Sequence, residues 1–368
     1  MANNRRKLAI LADPTGGGGI TRMLLRLLWG LTESSVGFDI DLVLGYAVDR
    51  PFLSQLPPTV RVVDLGVKTQ RRTREALRLI PPLVRYLRRE QPDVLMAHLA
   101  YVNFIAPLAA WLAGNRLRTM LVEHNPVMAR SRFLQFWRRW WFPQAEAIVA
   151  VSRGMAQQLE AEFGFSPGQV RVIYNPVVED EFCEQMCTKS PHSWLDDRQP
   201  PVILAVGRLT PQKDFTTLLR AFATVRSRCW VRLLILGEGE CRGELERLAI
   251  DLGIDSDVAL PGFVSDPFPY MARSSVFVLS SRWEGLPTVL IEALACGTQV
   301  VATDCPFGSA EILEGGRCGR LVPVGEAGAM AEAIAATLAD PIPKAVLQAR
   351  SRDFTRHRAV AAYLEWIG

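Results

Sequence analysis

The chain has 368 residues, 49% hydrophobic and 22% charged. That is an ordinary globular composition, too long for one core and expected to divide into two domains of about 150–200 residues. The net charge of +4 hides an asymmetry. Residues 1–150 carry 21 Lys and Arg against 11 Asp and Glu (+10), and residues 151–368 carry 21 against 27 (−6), which suits one domain to an anionic surface or substrate. No apolar run reaches the roughly 18 residues that span a bilayer, and the basic start MANNRRKLAILAD runs into a strand rather than a signal peptide. Seven cysteines with no CxxC pair fit a reducing, cytoplasmic setting, and Cys183 and Cys187 read as thiols on a helix face without a second ligand pair.

In chain order, KLAILAD reads as a strand, ITRMLLRLLWGL as a helix and FDIDLVLG as a strand. VRVVDLG, DVLMAH, RTMLVEH and AIVAVS are further strand-like runs with helices between several of them. The stretch from Val177 to Pro200 breaks this pattern. After it, PVILAVG, TTLLRAFATV, VRLLILG, ELERLAIDLG, VALPGF, SSVFVLS, TVLIEALACG and QVVATD repeat the alternation. Strands alternating with helices of 10–15 residues predict βαβ units and parallel sheets. The expected organisation is an N-terminal Rossmann-like domain over 1–176, a linker over 177–200 and a C-terminal Rossmann-like domain over 201–350. A C-terminal helix over 351–368 is expected to pack back on the N-terminal domain. Ligands of such sheets bind beyond the carboxyl ends of the strands, so a cleft between the domains is the expected active site.

Three stretches carry chemistry. Asp13-Pro-Thr followed by Gly16 to Gly19 sits between the first strand and the first helix, where glycines let backbone N–H groups approach a diphosphate. The spacing fails GxGxxG, because Thr21 holds the third glycine position. Arg208 and Lys213, in GRLTPQK, follow a strand and suit two cations that neutralise a departing phosphate. In isolation the same loop also reads as a solvated charged turn. Gly237 and Gly239 supply another turn at the same sheet edge. Finally, SRWEGLPTVLIEALACG sets Glu284 and Glu292 eight residues apart around a Gly-Leu-Pro turn. Either both face one ligand, or Glu284 caps the helix and Glu292 faces solvent.

The combination GRLTPQK, LILGEGE, LPGFV and EGLPTVLIE resembles the family 4 retaining glycosyltransferases of GT-B fold, over nearly the whole chain. GGITRMLL resembles the family's glycine loop, and DVLMAH, VEHN, AIVAVS and VIYNPV fall in its order; Thr21 stands where many members carry Glu. The resemblance implies two Rossmann-like domains with parallel sheets facing a central cleft. It implies that Glu284 bonds hydroxyls of the donor sugar and Glu292 the ribose hydroxyls of the nucleotide. Backbone of Gly285, Leu286, Pro287 and Thr288 would meet the sugar and diphosphate, Gly18, Gly19 and Gly237 the donor, and Gly262, Phe263 and Val264 the base. His124 matches the family's active-site histidine, and His98 is placed on the acceptor side. With Arg208 and Lys213 available for the diphosphate, neither a metal nor another cofactor is expected. The Asp39–Asp41 and Asp255–Asp257 triplets do not sit at strand-to-helix turns beside other ligands.

The activity so implied is transfer of a hexose or N-acetylhexosamine from a nucleotide diphosphate to a hydroxyl of a lipid-linked or cell-envelope glycan. TDCPFGSAEIL resembles members that use UDP-sugars. A nucleotide-sugar epimerase of the same architecture, a non-catalytic sugar- or lipid-binding protein and an NAD-dependent enzyme stand as alternatives. Phe133, Phe136, Trp137, Trp140 and Trp141 share one face of a predicted helix, with Arg132, Arg138 and Arg139 away from it. Arg85, Arg88 and Arg89 lie on another. These features suit either an anionic membrane surface at the inner face of the cytoplasmic membrane or packing on the domain's own sheet. No nucleic-acid motif accompanies the basic residues.

Overall fold

A computed structural model describes residues 6–13, 19–46, 50–68, 73–98, 100–114, 117–124, 139–179 and 190–367. The chain forms two units, residues 1–176 with 356–368 and residues 177–355.

The first unit holds seven strands: β1 (Arg6–Ala12), β2 (Phe38–Leu44), β3 (Arg61–Asp64), β4 (Val94–His98), β5 (Arg118–Glu123), β6 (Ala147–Ala150) and β7 (Val170–Val172). The second holds six: β8 (Val202–Val206), β9 (Arg232–Leu236), β10 (Val258–Gly262), β11 (Val276–Leu279), β12 (Gln299–Thr303) and β13 (Arg320–Val322). The sheets run β3-β2-β1-β4-β5-β6-β7 and β10-β9-β8-β11-β12-β13, with every described pairing parallel. Both follow the doubly wound order, whose direction of growth reverses beside the first strand; that reversal opens a crevice at the strands' carboxyl ends.

Central strands are buried on both faces, which is why they read as continuous apolar runs such as VILAV and RLLIL. β7 and β13 are three-residue edge strands, too short to stand out by pattern. The core of the second unit gathers Ile203, Leu218, Phe222, Leu233, Ile235 and Val278 around the sheet and the helix Phe215–Arg226.

The described part of 177–200 groups with the second unit. Arg232 stacks over the Trp194 ring at 4.9 Å, Tyr270 Oη donates to Pro191 O at 3.3 Å and Val177 N donates to Phe354 O at 3.0 Å. The helix Arg356–Ile367 packs instead on the helix Gly19–Glu33. A Cβ on Gly30 would stand 2.4 Å from Val360 Cγ2. Arg356 pairs with Glu33 at 3.0 Å, Arg118 Nη2 donates to Trp366 O at 2.7 Å, and Arg6 Nη1 donates to Ile367 O at 2.9 Å.

Candidate active site

In the second unit three glycines end three adjacent strands. Gly207 N donates to Leu236 O at 2.9 Å, and Gly237 N donates to Gly262 O at 2.8 Å. Gly237 has φ +147°, and a Cβ there would lie 1.9 Å from Gly207 O, so no other residue fits. The 207–213 loop is then tied to the next one, with Leu209 N donating to Glu238 O and Cys241 N to Leu209 O, each at 2.9 Å. Arg208 is exposed on this loop, and Phe263, 65% exposed, follows β10 with half-buried Val264 beside it.

The same loop is braced against the segment that follows β11. Ser280 Oγ donates to Lys213 O at 2.7 Å, Arg282 N donates to Gln212 O at 2.8 Å, and Gln212 Nε2 donates to Trp283 O at 2.9 Å. Arg282 also pairs with buried Asp214 at 3.1 Å. These braces bring two site residues 71 positions apart into contact: Lys213 Nζ bonds Glu284 Oε1 at 2.6 Å. Ser281 Oγ donates to the same oxygen at 2.6 Å. Gly308 (φ +83°) lies close enough that a Cβ would stand 2.6 Å from Pro287 Cδ and 2.9 Å from Gly285 O, which pins the Gly-Leu-Pro turn. Ser281, Gln212, Asp214 and Gly308 were not among the residues singled out from sequence.

The turn feeds the helix Thr288–Ala295, whose N-cap, Pro287, is without a capping side chain. Glu284 is therefore not the helix cap. Glu292, on the helix's fifth residue, is 1% exposed, so it is not a solvent-facing residue either. Gly285, Leu286 and Pro287 are buried and Thr288 half-buried. Cys305, beyond β12, is buried with its thiol 3.5 Å from Ser309 Oγ; burial pushes that thiol above its ordinary pKa, which makes it a poor nucleophile.

In the first unit Gly18 lies outside the described residues, and Gly19 opens the helix Gly19–Glu33. His98 ends β4 and His124 follows β5 directly. Adjacent parallel strands bring their rings together, His98 Nδ1 to His124 Nε2 at 3.0 Å, and both are buried, His98 fully (0% exposed). Burial pushes the pKa of His98 well below its ordinary value and lowers that of His124 to about 4, so both are neutral near pH 7. Asn103 Nδ2 donates to Val122 O at 2.9 Å and to Glu123 Oε1 at 3.0 Å on the same strand end.

Of the acid triplets, Asp41 is taken up by structure. Arg61 Nη2 bonds it at 2.5 Å, Tyr86 Oη at 2.7 Å, and Lys7 stands at 3.5 Å. Burial raises its pKa, but these partners outweigh that and hold it below the usual carboxylate range. Asp257 pairs with Arg226 at 2.7 Å. Among the described residues no group of three His, Cys, Asp or Glu could hold a metal.

Phe133, Phe136, Trp137, Arg132, Arg138, Cys183 and Cys187 lie outside the described residues. Trp140 is 64% exposed, and Trp141 stands 6.0 Å from Trp111, itself 69% exposed. Nearby, a groove of about 640 Å³ is lined by Ile80, Pro81, Val84 and Leu112 with Arg85, Arg88 and Arg89. Arg88 Nη2 donates to Leu112 O at 2.8 Å and Arg89 Nε to Glu90 at 3.0 Å. Among the described residues no helix is long and apolar enough to cross a membrane.

Residues 17–181 match the family described as Glycosyltransferase Family 4, and residues 200–340 match Glycosyl transferases group 1. The chain is 32% identical over 297 residues to a lipopolysaccharide core biosynthesis glycosyltransferase of Rhizobium meliloti, covering 78% of this chain and 80% of that one. It is 28% identical over 348 residues to a Campylobacter jejuni enzyme, the N-acetylgalactosamine-N,N'-diacetylbacillosaminyl-diphospho-undecaprenol 4-alpha-N-acetylgalactosaminyltransferase, with 91% of each chain covered. In fold it is similar to the HepE protein of Anabaena solved with UDP-glucose, with TM-score 0.76, 21% identity, 98% of this chain covered and 99% of that one.

Proposed function

The chain belongs to the glycosyltransferases of family 4 and group 1, and on that footing we propose that it is a retaining enzyme that moves a hexose or N-acetylhexosamine from a UDP-sugar to a hydroxyl of a lipid-linked or cell-envelope glycan. One observation carries the reading: buried Glu284 and Glu292 flank a pinned Gly-Leu-Pro turn at a sheet's carboxyl edge, with Lys213 held on the first carboxylate. One carboxylate satisfies a sugar diol and the other a ribose diol. The names of the relatives support the acceptor class, since one acts on a diphospho-undecaprenol glycan and another in lipopolysaccharide core synthesis. The UDP-glucose held by HepE supports the nucleotide.

In this reading Arg208 and Lys213 face the donor diphosphate, and Lys213 exchanges part of its bond to Glu284 for phosphate when donor enters. Glu284 is thereby released to the sugar hydroxyls. No carboxylate is assigned as a nucleophile, so the displacement runs on one face. The bond from the anomeric carbon to the phosphate oxygen breaks, and its electron pair leaves with UDP. The acceptor oxygen bonds the same face of the carbon, and its proton passes to the departing phosphate. Positioning and fixed positive charge supply the catalysis, with no metal ion required. In the first unit, neutral His124 is the group that meets the transferred sugar. The exposed Trp111 and Trp140 with the arginine-edged groove support a peripheral position on the anionic inner face of the cytoplasmic membrane.

The test is a thermal-shift screen of nucleotide diphosphates, followed by NMR of the product's anomeric proton. UDP at 100 times its dissociation constant should add about 2.7 kcal/mol of stability. An inverted product would overturn the retaining mechanism, and stabilisation by another base alone would overturn the UDP assignment.

A further inference from the structure

The histidine pair holds more than a contact. A gap of 3.0 Å between two ring nitrogens accommodates one hydrogen. With two hydrogens the rings would clash, and with none two lone pairs would face each other. Because both rings are neutral, each carries a single N–H. If His98 donates through Nδ1, the proton of His124 must also be on Nδ1. If His124 donates through Nε2, the proton of His98 must also be on Nε2. The outer nitrogens, His98 Nε2 and His124 Nδ1, are buried, and neither completes a hydrogen bond of good geometry among the described residues. Asn175 lies beside His124 as its side-chain hydrogen-bonding neighbour, and an amide offers both a donor and an acceptor, so it suits either state.

We infer that His98 is a positioning residue that fixes the proton of His124, the two rings sharing one hydrogen and holding the same tautomer. This rests on the proposed role of His124. It replaces the expectation that His98 lines the acceptor side, since a fully buried ring bonded to His124 acts through that neighbour. His124 Nδ1 then donates or accepts according to which ring holds the shared hydrogen. A change at that outer nitrogen must be matched at His98 Nε2.

Histidine-selective 15N labelling of the full chain, with two-bond 15N–1H spectra assigned through His98→Asn and His124→Asn, reads every ring proton directly. The expected spectrum has both rings neutral and both Nδ1–H or both Nε2–H, with and without UDP-glucose. Opposite tautomers or a charged ring overturn the inference. In release of UDP from UDP-hexoses with water as acceptor, His98→Phe should lower kcat about tenfold, the size of one buried hydrogen bond, and leave UDP affinity unchanged. His98→Asn, whose amide reaches the position of Nδ1, should recover most of that loss. Adding His98→Phe to His124→Phe should cost nothing more. If His124→Phe loses turnover but His98→Phe does not, the inference falls and the role of His124 stands. If His124→Phe turns over normally, that role itself falls. Should His98→Phe fail to fold, the tautomers of the unaltered chain decide alone.

Discussion

The two units share one strand order and use its carboxyl edge in opposite ways. The six-stranded unit keeps full charges there, Lys213 against Glu284, on loops laced together by backbone bonds and by glycines that no other residue could replace. The seven-stranded unit buries two neutral imidazoles. Burying a charge completely is expensive, so the ion pair keeps some exposure, 16% of the Lys213 side chain and 9% of that of Glu284, whereas a neutral ring tolerates full burial. One edge holds charges, the other neutral rings.

Removing a charge from the first kind of edge should have the largest effect. Lys213→Ala and Arg208→Ala should each lower turnover roughly 100- to 1000-fold, or about 3–4 kcal/mol. They should part company in stability. Lys213→Ala leaves the Glu284 carboxylate without its cation and melts early, while Arg208→Ala, on an exposed position, melts normally. UDP release and melting curves measured together check both, and near-normal turnover in both variants would remove the diphosphate assignment.

Acid should next find the neutral edge. His124 has its pKa lowered to about 4 against an ordinary 6.5, so the unfolded chain binds its proton first. Stability is full above about pH 6.5 and falls as pH drops toward 4, by about 3 kcal/mol for this residue. Urea melts at pH 7 and pH 4.5 would show it, and His124→Phe should flatten the slope. An unchanged slope in that variant would contradict neutral burial.

A smaller effect separates the glutamates. Glu292→Gln should weaken UDP binding by about 1.5–3 kcal/mol, the value of a hydrogen bond to a charged group, and Glu284→Gln should spare it while damaging transfer. Equal losses by calorimetry would contradict the division. The smallest stability change belongs to the exposed aromatics. Trp111→Ser and Trp140→Ser should shift stability by no more than about 0.5 kcal/mol, yet reduce binding to anionic vesicles. Retained vesicle binding would remove the membrane surface from the proposal.

Much of this was legible in the residues. Parallel strands buried on both faces announce themselves as apolar runs, and the Glu284–Glu292 spacing around Gly-Leu-Pro is visible by eye. The edge strands β7 and β13 are too short to read. Lys213 and Glu284 were each singled out, but a contact across 71 positions depends on which strands are neighbours, and periodicity does not carry that. The same holds for His98 and His124, which occupy adjacent strands 26 positions apart. Gly237 was noticed for the ligand it could admit; its geometry shows that the backbone of Gly207 demands a glycine there first.

The helix Arg356–Ile367 gives the chain a schedule. The first unit is made of two stretches, 1–176 and 356–368, with the whole second unit encoded between them. During synthesis at about 5–20 residues per second, the Gly19–Glu33 helix waits roughly 17–66 s for the partner that covers Gly30. Arg118 and Arg6 likewise wait for the carbonyls of Trp366 and Ile367, 248 and 361 positions later. The unit begun first is therefore completed only after the whole of the unit encoded within it.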